Sequence, residues 1–275
     1  MTVRLTYLTA ADREDELVAL LWEHGTLGVQ VLEGEPGLVR LEAYFVDGGP
    51  RELPGARFVG AAEVPAVDWL APYRESAQPF PVGERLLLDP RDPEGVEAPV
   101  AAGRLTLRIP ARAAFGTGSH ESTRLALELL EGLDLSGKRV LDVGTGTGIL
   151  AFAALSFGAR SAVGLDADPA APYHARANAR LNRLRPLLFA GTLDALAPGA
   201  AGFDLALVNV IPEEIAADLP RLAGLLAPGG EAVLSGILAA AGPRVLADLG
   251  ALGFAPVAER TAGEWLAYRV RREAS

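Results

Sequence analysis

The chain has 275 residues, of which 50% are hydrophobic and 22% charged, a composition typical of globular proteins rather than disordered ones. It contains no cysteine, which excludes disulfides, zinc–thiolate sites, iron–sulfur clusters and thiol nucleophiles. The net charge of −10 argues against binding to nucleic acid, because phosphate recognition normally requires a clustered basic surface.

The first 64 residues predict a small α+β domain. A helix is expected at 11–24, and alternating apolar residues indicate strands at 3–7, 27–33, 38–46 and 56–63. This order suggests a ferredoxin-like domain, although residues 47–55 hold three glycines and two prolines where the second helix belongs, so we expect no helix there. The 64 residues carry 11 acidic and 5 basic side chains, a net charge of −6, which favours a basic protein partner over RNA.

Residues 65–100 are rich in proline and are predicted to be a linker that ends in the start of a hairpin. A short helix is expected at 68–76, and the hairpin would join strands 86–89 and 105–109. The expected organisation is therefore a recognition domain at 1–64, the linker at 65–100 and a larger domain at 101–275.

Beyond residue 110 the pattern changes to strands that alternate with helices. Helices are predicted at 149–157, 169–182, 212–226 and 239–252, and strands at 140–143, 162–166, 187–189, 204–210, 232–237, 254–260 and 265–271. Apolar strands that alternate with helices predict an α/β domain, a Rossmann-like parallel sheet of seven strands covered on both faces. The last two strands would add an antiparallel edge.

The clearest motif is Val140-Leu-Asp-Val-Gly-Thr-Gly-Thr-Gly148, a glycine-rich turn between the first strand and the first helix of this sheet. A phosphate-binding P-loop requires Gly-Lys-Ser/Thr, which is absent. A dinucleotide-binding turn requires G-x-G-x-x-G, but position 149 is isoleucine. The remaining pattern is G-x-G-x-G after an acidic residue, Asp142, and resembles the motif of Rossmann-like methyltransferases that use S-adenosylmethionine.

Polar side chains close the strands that follow. Asp166 ends the second strand, where a carboxylate can accept hydrogen bonds from both ribose hydroxyls of an adenosine. Asp194 follows the third strand, and the sequence leaves two roles open for it: a contact with the adenine or an ordinary loop position. Asn209 ends the otherwise apolar fourth strand, a position that favours a functional role.

A second motif, Phe115-Gly-Thr-Gly-Ser-His-Glu-Ser-Thr123, precedes the sheet and leads into a helix. Ser119 or Ser122 is predicted to cap this helix. Capping does not account for an aromatic residue beside a flexible turn, so we expect the loop to close over a cofactor, with Phe115 packed against it.

Together these residues resemble the ribosomal protein L-eleven methyltransferase family, of PrmA type. The resemblance rests on Ala-Phe-Gly-Thr-Gly-x-His-x-x-Thr, Val-Leu-Asp-x-Gly-x-Gly-x-Gly-Ile-Leu, Gly-x-Asp-x-Asp-Pro and the strand closed by Asn209. It is strengthened by Leu-Ala-Pro-Gly-Gly at 226–230 and Leu-Ser-Gly-Ile-Leu at 234–238, and it covers roughly residues 64 to 275.

The resemblance implies that the cofactor is S-adenosylmethionine and that the substrate is ribosomal protein L-eleven, a basic protein methylated on lysine side chains and its N-terminal amine. Asn209 would stand at the methyl-transfer position as the catalytic residue. The implied cofactor-binding residues are Phe115, Gly116, Thr117, His120, Thr123, Asp142, Gly144, Gly146, Asp166, Asp194 and Asn209. One departure is the segment Val-Ile-Pro-Glu-Glu after Asn209, where the family usually has Ile-Leu and small residues.

Two other functions remain open from the sequence. The first is a methyltransferase of the same fold that acts on another protein or on a small amine, and the second is a non-catalytic scaffold that binds the cofactor. No metal site is predicted, since the three histidines are widely separated. The sequence shows neither a signal segment nor an 18-residue uncharged apolar run, so we expect a soluble cytoplasmic protein without a membrane or direct nucleic-acid partner.

Overall fold

The computed structural model describes residues 2–34, 37–64, 77–110, 118–196 and 202–273. The chain divides into two compact units, Met1–Trp69 and Leu70–Ser275. Within the described ranges no helix is long and apolar enough to cross a membrane. The helix predicted at 68–76 lies outside the described residues.

The described residues of the first unit form a four-stranded antiparallel sheet with one α-helix. Its elements are β1 (Thr2–Ala10), α1 (Glu14–Glu23), β2 (Gly28–Glu33), β3 (Leu38–Val46) and β4 (Ala56–Val64), and the strand order is β2-β3-β1-β4. Leu17 and Leu21 of α1 are fully buried in a core with Leu5 and Tyr7 of β1. The alternation of buried and partly exposed residues along β1 is the period-two pattern of a sheet with one covered face.

The segment between β3 and β4 contains no helix, as its glycines and prolines predict. It is held to β1 instead by side chains that donate to its carbonyl groups. The Tyr7 hydroxyl donates to the Pro50 carbonyl, and the Thr9 hydroxyl donates to the Gly55 carbonyl at 3.2 Å. Leu53 is buried in the core of the unit and fills part of the space that a second helix would cover.

The second unit opens with a small three-stranded sheet formed by β5 (Phe80–Val82), β6 (Leu86–Asp89) and β7 (Leu105–Arg108). Here the predicted hairpin is wrong: β6 pairs with β7 in parallel and with β5 in antiparallel orientation. The parallel register places Arg108 opposite Asp89, so the guanidinium lies 3.5 Å from that fully buried carboxylate. A two-strand hairpin would not give this pairing.

This small sheet belongs to the core of the second unit rather than to a linker. Its apolar side chains pack into the same cluster as the helices and strands that follow; they are Val82, Leu86, Leu88, Leu107 and Ile109. The prolines of this region therefore separate short strands, and the chain from residue 80 onward is part of the larger unit.

Seven strands form the main sheet in the order β10-β9-β8-β11-β12-β14-β13. They are β8 (Arg139–Val143), β9 (Ser161–Asp166), β10 (Leu187–Ala190), β11 (Phe203–Asn209), β12 (Leu226–Leu238), β13 (Phe254–Ala262) and β14 (Trp265–Arg272). The first five are parallel, and β14 is antiparallel to both β12 and β13. The final strand in sequence thus lies inside the sheet, between two earlier ones.

In the described part of the second unit six α-helices cover this sheet, and five of them lie between its strands in sequence. The six are α2 (Glu121–Glu131), α3 (Ile149–Ser156), α4 (Ala170–Leu181), α5 (Pro212–Ile215), α6 (Leu219–Leu225) and α7 (Gly242–Ala251). Buried residues of α2, α3 and α4 belong to one apolar cluster, and those of α5, α6 and α7 to another. The two clusters account for the nearly continuous apolar strands, because side chains on both faces of the sheet are buried.

The topology fixes where a ligand binds. The chain runs from β8 outward through β9 to β10, and then returns to the other side of β8 to form β11. At this reversal the loops after β8 and β11 diverge and leave a crevice at the carboxyl ends of the strands, which is where open α/β sheets bind their ligands.

Candidate active site

The glycine-rich turn after β8 is held by backbone hydrogen bonds to the next strand. The amides of Gly144 and Thr145 both donate to the Leu165 carbonyl at 2.9 Å. Gly148, which begins α3, has φ of 86°, and a Cβ at this position would lie 2.3 Å from the ring of Phe152. Only glycine fits both this backbone conformation and this space.

Asp142 lies beneath the turn and has no exposed surface. Its Oδ2 accepts hydrogen bonds from the Thr145 hydroxyl at 2.7 Å and from the Ala151 amide at 3.1 Å. Burial raises the pKa of the Asp142 carboxyl to about 7. The Asp142 side chain shapes the turn from inside, because it joins the loop to α3, and its contact with the cofactor stays a prediction.

The buried carboxyl makes the stability of the chain dependent on pH. Its pKa is raised from 3.8 to about 7, so the folded state keeps this proton over an interval in which the unfolded chain releases it. The carboxyl therefore opposes folding increasingly as pH rises from about 4 to about 7. We expect Asp142→Asn, which cannot ionise, to gain stability relative to wild type across this interval, measured by urea unfolding at several pH values. The exposed Asp168→Asn control should show no such gain, and parallel pH curves for Asp142→Asn would disprove the effect.

Asp166, at the end of β9, is positioned by the turn that follows β8. Its Oδ2 accepts a hydrogen bond from the Gly146 amide at 2.8 Å, and its Oδ1 accepts one from the Asp168 amide at 3.0 Å. The Asp168 carboxylate in turn accepts a hydrogen bond from the Ala170 amide at 2.9 Å, at the start of α4. These contacts fix the direction of the Asp166 carboxylate toward the crevice.

Two adjoining clefts occupy the carboxyl edge of the sheet. The larger, of about 360 Å³, is called here the transfer cleft, and the smaller, of about 180 Å³, the adenosine cleft. Gly144, Asp166, Val210 and Glu214 line both. The other residues of the transfer cleft are His120, Ser122, Gly146, Asn209, Ile211, Gly236 and Trp265. The other residues of the adenosine cleft are Val143, Leu165, Ala167, Gly191, Thr192, Leu193, Ile215 and Asp218.

Asn209 presents an unsatisfied acceptor in the transfer cleft. Its Nδ2 donates to the hydroxyl of Thr123, a fully buried residue of α2, at 3.1 Å. Its Oδ1 is buried and has no hydrogen-bond partner among the described residues. A buried acceptor without a partner is costly for a folded protein, and it indicates a position where a ligand donates a hydrogen bond.

His120 caps α2, so the predicted caps Ser119 and Ser122 are wrong. The backbone amide of Ser122 donates to Nδ1 of His120 at 3.2 Å. Because an amide can only donate, Nδ1 is unprotonated and the neutral ring carries its proton on Nε2. The ring packs edge to face against Trp265, with 4.8 Å between centroids. Nδ1 of His120 is therefore engaged at the start of α2.

Other predicted residues lie outside the two clefts or outside the described chain. Asp194 is 79% exposed and forms an ion pair with Arg221 at 3.2 Å, whereas its neighbours Thr192 and Leu193 line the adenosine cleft. The side chain of Asp194 thus takes the ordinary loop position that the sequence left open. Phe115, Gly116 and Thr117 lie outside the described residues.

The structure adds cleft residues that the sequence did not single out. One of them is Trp265, which lines the transfer cleft and packs against His120. Gly236 lies so close to the backbone of Val210 that a Cβ would be 2.8 Å from that carbonyl oxygen. The sequence held a signal for Gly236 in its Leu-Ser-Gly-Ile-Leu motif, and one for Glu214 in the unusual segment after Asn209.

Comparison with known proteins identifies the family. A family model described as "Ribosomal protein L11 methyltransferase (PrmA)" matches residues 52–273. The chain belongs to this family. A protein of Thermus thermophilus named ribosomal protein L11 methyltransferase is 38% identical over 254 residues, which are 92% of each chain. A protein of the same name from Deinococcus radiodurans is 38% identical over an alignment of 275 positions, which covers 95% of this chain and 96% of that one.

A solved structure supports the same relationship. The crystal structure of a ribosomal protein L11 methylase from Lactobacillus delbrueckii subsp. bulgaricus is 29% identical, with a TM-score of 0.64 over 71% of this chain and 98% of that chain. Membership of the PrmA family makes the chain an S-adenosylmethionine-dependent methyltransferase.

Proposed function

We propose that this chain transfers methyl groups from S-adenosylmethionine to lysine side chains and the N-terminal amine of ribosomal protein L11. The observation that carries the proposal is the buried Oδ1 of Asn209, which has no partner among the described residues and belongs to a residue that lines the transfer cleft. An amine N–H is a donor that this acceptor can bind. Ribosomal protein L11 is proposed as the substrate because the family to which the chain belongs is described by that activity.

The residues of the two clefts suit the cofactor. The carboxylate of Asp166, which lines both clefts, would accept the ribose hydroxyls. Gly144 and Gly146 have φ of 71° and 52°, conformations that glycine adopts without strain, and would leave room for the methionine portion. His120 lines the transfer cleft together with Gly144 and Gly146, where it would lie beside the same portion of the cofactor.

The chemistry is an in-line displacement. When bound, S-adenosylmethionine presents a methyl group on a positively charged sulfur, and the methyl carbon is electrophilic. The nucleophile is a neutral amine, which needs its lone pair free. A hydrogen bond from the amine N–H to Oδ1 of Asn209 would point that lone pair toward the methyl carbon, and Thr123 fixes the amide plane in place. Orientation of this kind contributes a large share of rate acceleration when the nucleophile is already reactive.

The substrate proton leaves before transfer. A lysine ammonium has a reference pKa of about 10.4, and burial lowers the pKa of an amine by disfavouring its charged form. Since Nδ1 of His120 is engaged by the Ser122 amide, His120 is not the base of this proposal. We assign proton removal to solvent as the amine enters the cleft.

The N-terminal unit is proposed to be a ferredoxin-like domain that recognises the substrate. Its β2-β3-β1-β4 strand order supports this classification, with the second helix replaced by an extended segment. The net charge of −6 over the first 64 residues complements a basic ribosomal protein. We also propose that the protein acts in the cytoplasm and makes no direct contact with nucleic acid.

The decisive test is methyl transfer to purified, unmodified ribosomal protein L11, read by intact mass. We expect mass increases in steps of one methyl group that require S-adenosylmethionine. Cofactor binding measured by calorimetry without any mass increase would reject L11 as substrate and favour another amine acceptor. The absence of both binding and transfer would contradict the enzymatic function itself.

A further inference from the structure

The transfer cleft contains a carboxylate that the mechanism above does not use. Glu214, in the short helix α5, lines both clefts and is exposed to solvent. Its side chain makes no hydrogen bond or ion pair to any residue in the described part of the chain, whereas its backbone amide is bound to the Ile211 carbonyl at 3.0 Å. The backbone of Glu214 is thus held in α5 while its carboxylate stays available.

The other titratable side chains of the transfer cleft are already committed. Both carboxylate oxygens of Asp166 accept backbone amides, at 2.8 and 3.0 Å. Nδ1 of His120 accepts the Ser122 amide. Asn209 is neutral, so it can orient an amine without offsetting a positive charge. Glu214 is therefore the anionic group of this cleft that best suits a cationic substrate.

The adjacent glutamate shows that this placement is specific. Glu213 lines a separate apolar groove between α5 and α7, and its carboxylate lies 3.9 Å from Arg244. Successive residues of a helix point about 100° apart, so two neighbouring carboxylates reach different surfaces. Glu213 and Glu214 have the same charge and neighbouring positions, but Glu214 alone of the two lines the transfer cleft.

The reaction moves one positive charge to the substrate. The amine nitrogen forms a bond to the methyl carbon while the bond from that carbon to sulfur breaks, and the electron pair of the broken bond stays on sulfur. The sulfur becomes neutral and the nitrogen becomes a cation, so a carboxylate near the nitrogen is favoured more in the transition state than before it. The incoming substrate is also an ammonium before it loses its proton.

We infer that Glu214 is a specificity-determining residue that recognises alkylammonium groups, both unmodified and partly methylated, at the mouth of the transfer cleft. This inference rests on the proposed amine methyltransferase function, and it assigns to Glu214 the preference of the same site for positively charged side chains. Neutral side chains of similar shape would be bound less well, because Glu214 then loses solvent contact without gaining a partner of opposite charge.

The test compares Glu214→Gln with the matched control Glu213→Gln in the full chain. With unmodified ribosomal protein L11 at low salt, we expect Glu214→Gln to lower kcat/KM about tenfold and Glu213→Gln to stay within about twofold of wild type. The affinity for S-adenosylmethionine, measured by calorimetry, should change less than about threefold in both variants. Raising the salt to about 0.5 M should shrink the loss in Glu214→Gln, since exposed charges are screened, whereas a purely structural defect would persist.

A binding experiment separates this inference from the proposed function. The chain saturated with S-adenosylhomocysteine is titrated with Nα-acetyl-lysine amide and with the neutral Nα-acetyl-norleucine amide, followed by NMR. Wild type and Glu213→Gln should prefer the lysine compound, and Glu214→Gln should lose most of that preference. This result would stand even if wild type failed to methylate L11. If Glu214→Gln and Glu213→Gln showed the same preference for the lysine compound, the inference would be overturned. It would also be overturned if Glu214→Gln lost much of its affinity for S-adenosylmethionine while kcat stayed unchanged, because Glu214 would then be a residue of the adenosine cleft.

Discussion

Replacing Asn209 with alanine should lower the turnover number by about two to three orders of magnitude, while the affinity for S-adenosylmethionine changes less than about threefold. The variant removes the buried Oδ1 that would orient the amine, and it leaves in place the Asp166 carboxylate, which we propose to bind the ribose. Stopped assays of methyl transfer to ribosomal protein L11 give kcat, and calorimetry gives the affinity. The two measurements separate orientation of the nucleophile from cofactor binding.

Conservative variants test whether the loss of turnover arises because the amine is no longer oriented. Asn209→Asp keeps an acceptor at the same place and should retain more turnover than Asn209→Ala. Thr123→Val removes the hydroxyl that holds Nδ2 at 3.1 Å, so it should reduce turnover about tenfold through loss of amide alignment. Full turnover in Asn209→Ala would eliminate the orienting role. A parallel loss of cofactor affinity would instead make Asn209 a binding residue.

The second large effect is expected at Asp166. Changing it to alanine should weaken the binding of S-adenosylmethionine at least about a hundredfold, and methyl transfer at ordinary cofactor concentrations should be lost. Each hydrogen bond to a charged acceptor contributes about 1.5–3 kcal/mol, and the variant would lose the ribose bonds along with the bond that holds Gly146. Calorimetric titration of the two proteins measures the change directly.

The matched control is Asp168→Ala. This carboxylate lies two residues away on the exposed surface, and it binds the Ala170 amide instead of lining either cleft. Its backbone amide, which donates to Asp166, is kept in the variant. We expect cofactor affinity within about threefold of wild type. If both variants weakened binding equally, the effect would have to be assigned to the loop as a whole.

Much of this architecture could be predicted from the sequence because its signals are local and periodic. Apolar strands alternating with helices predicted the parallel sheet, and the glycine-rich turn placed the ligand at its carboxyl edge. The acidic end of β9 and the asparagine end of β11 then fell next to each other in the transfer cleft, since both strands flank β8. Strand ends are informative because the sheet brings them together.

The same local signals could not predict the direction of a strand or the direction in which a side chain points. Alternation has a period of two in parallel and antiparallel strands alike, so residues 86–89 and 105–109 could not be distinguished from a hairpin. Asp142 lies in a central strand whose two faces are both covered, so its sequence context did not show that it faces the interior. For α5, only four residues long, no periodicity indicates which of two adjacent glutamates faces the cleft.

The position of β14 constrains the order in which the protein can acquire activity during synthesis. The N-terminal sheet is complete once residue 64 has emerged, so that unit can fold while translation continues. The main sheet cannot close before residues 265–272 are available, because β14 separates β12 from β13. Trp265, which lines the transfer cleft, is the first residue of that strand. A nascent chain could therefore hold a folded N-terminal unit well before its transfer cleft is complete.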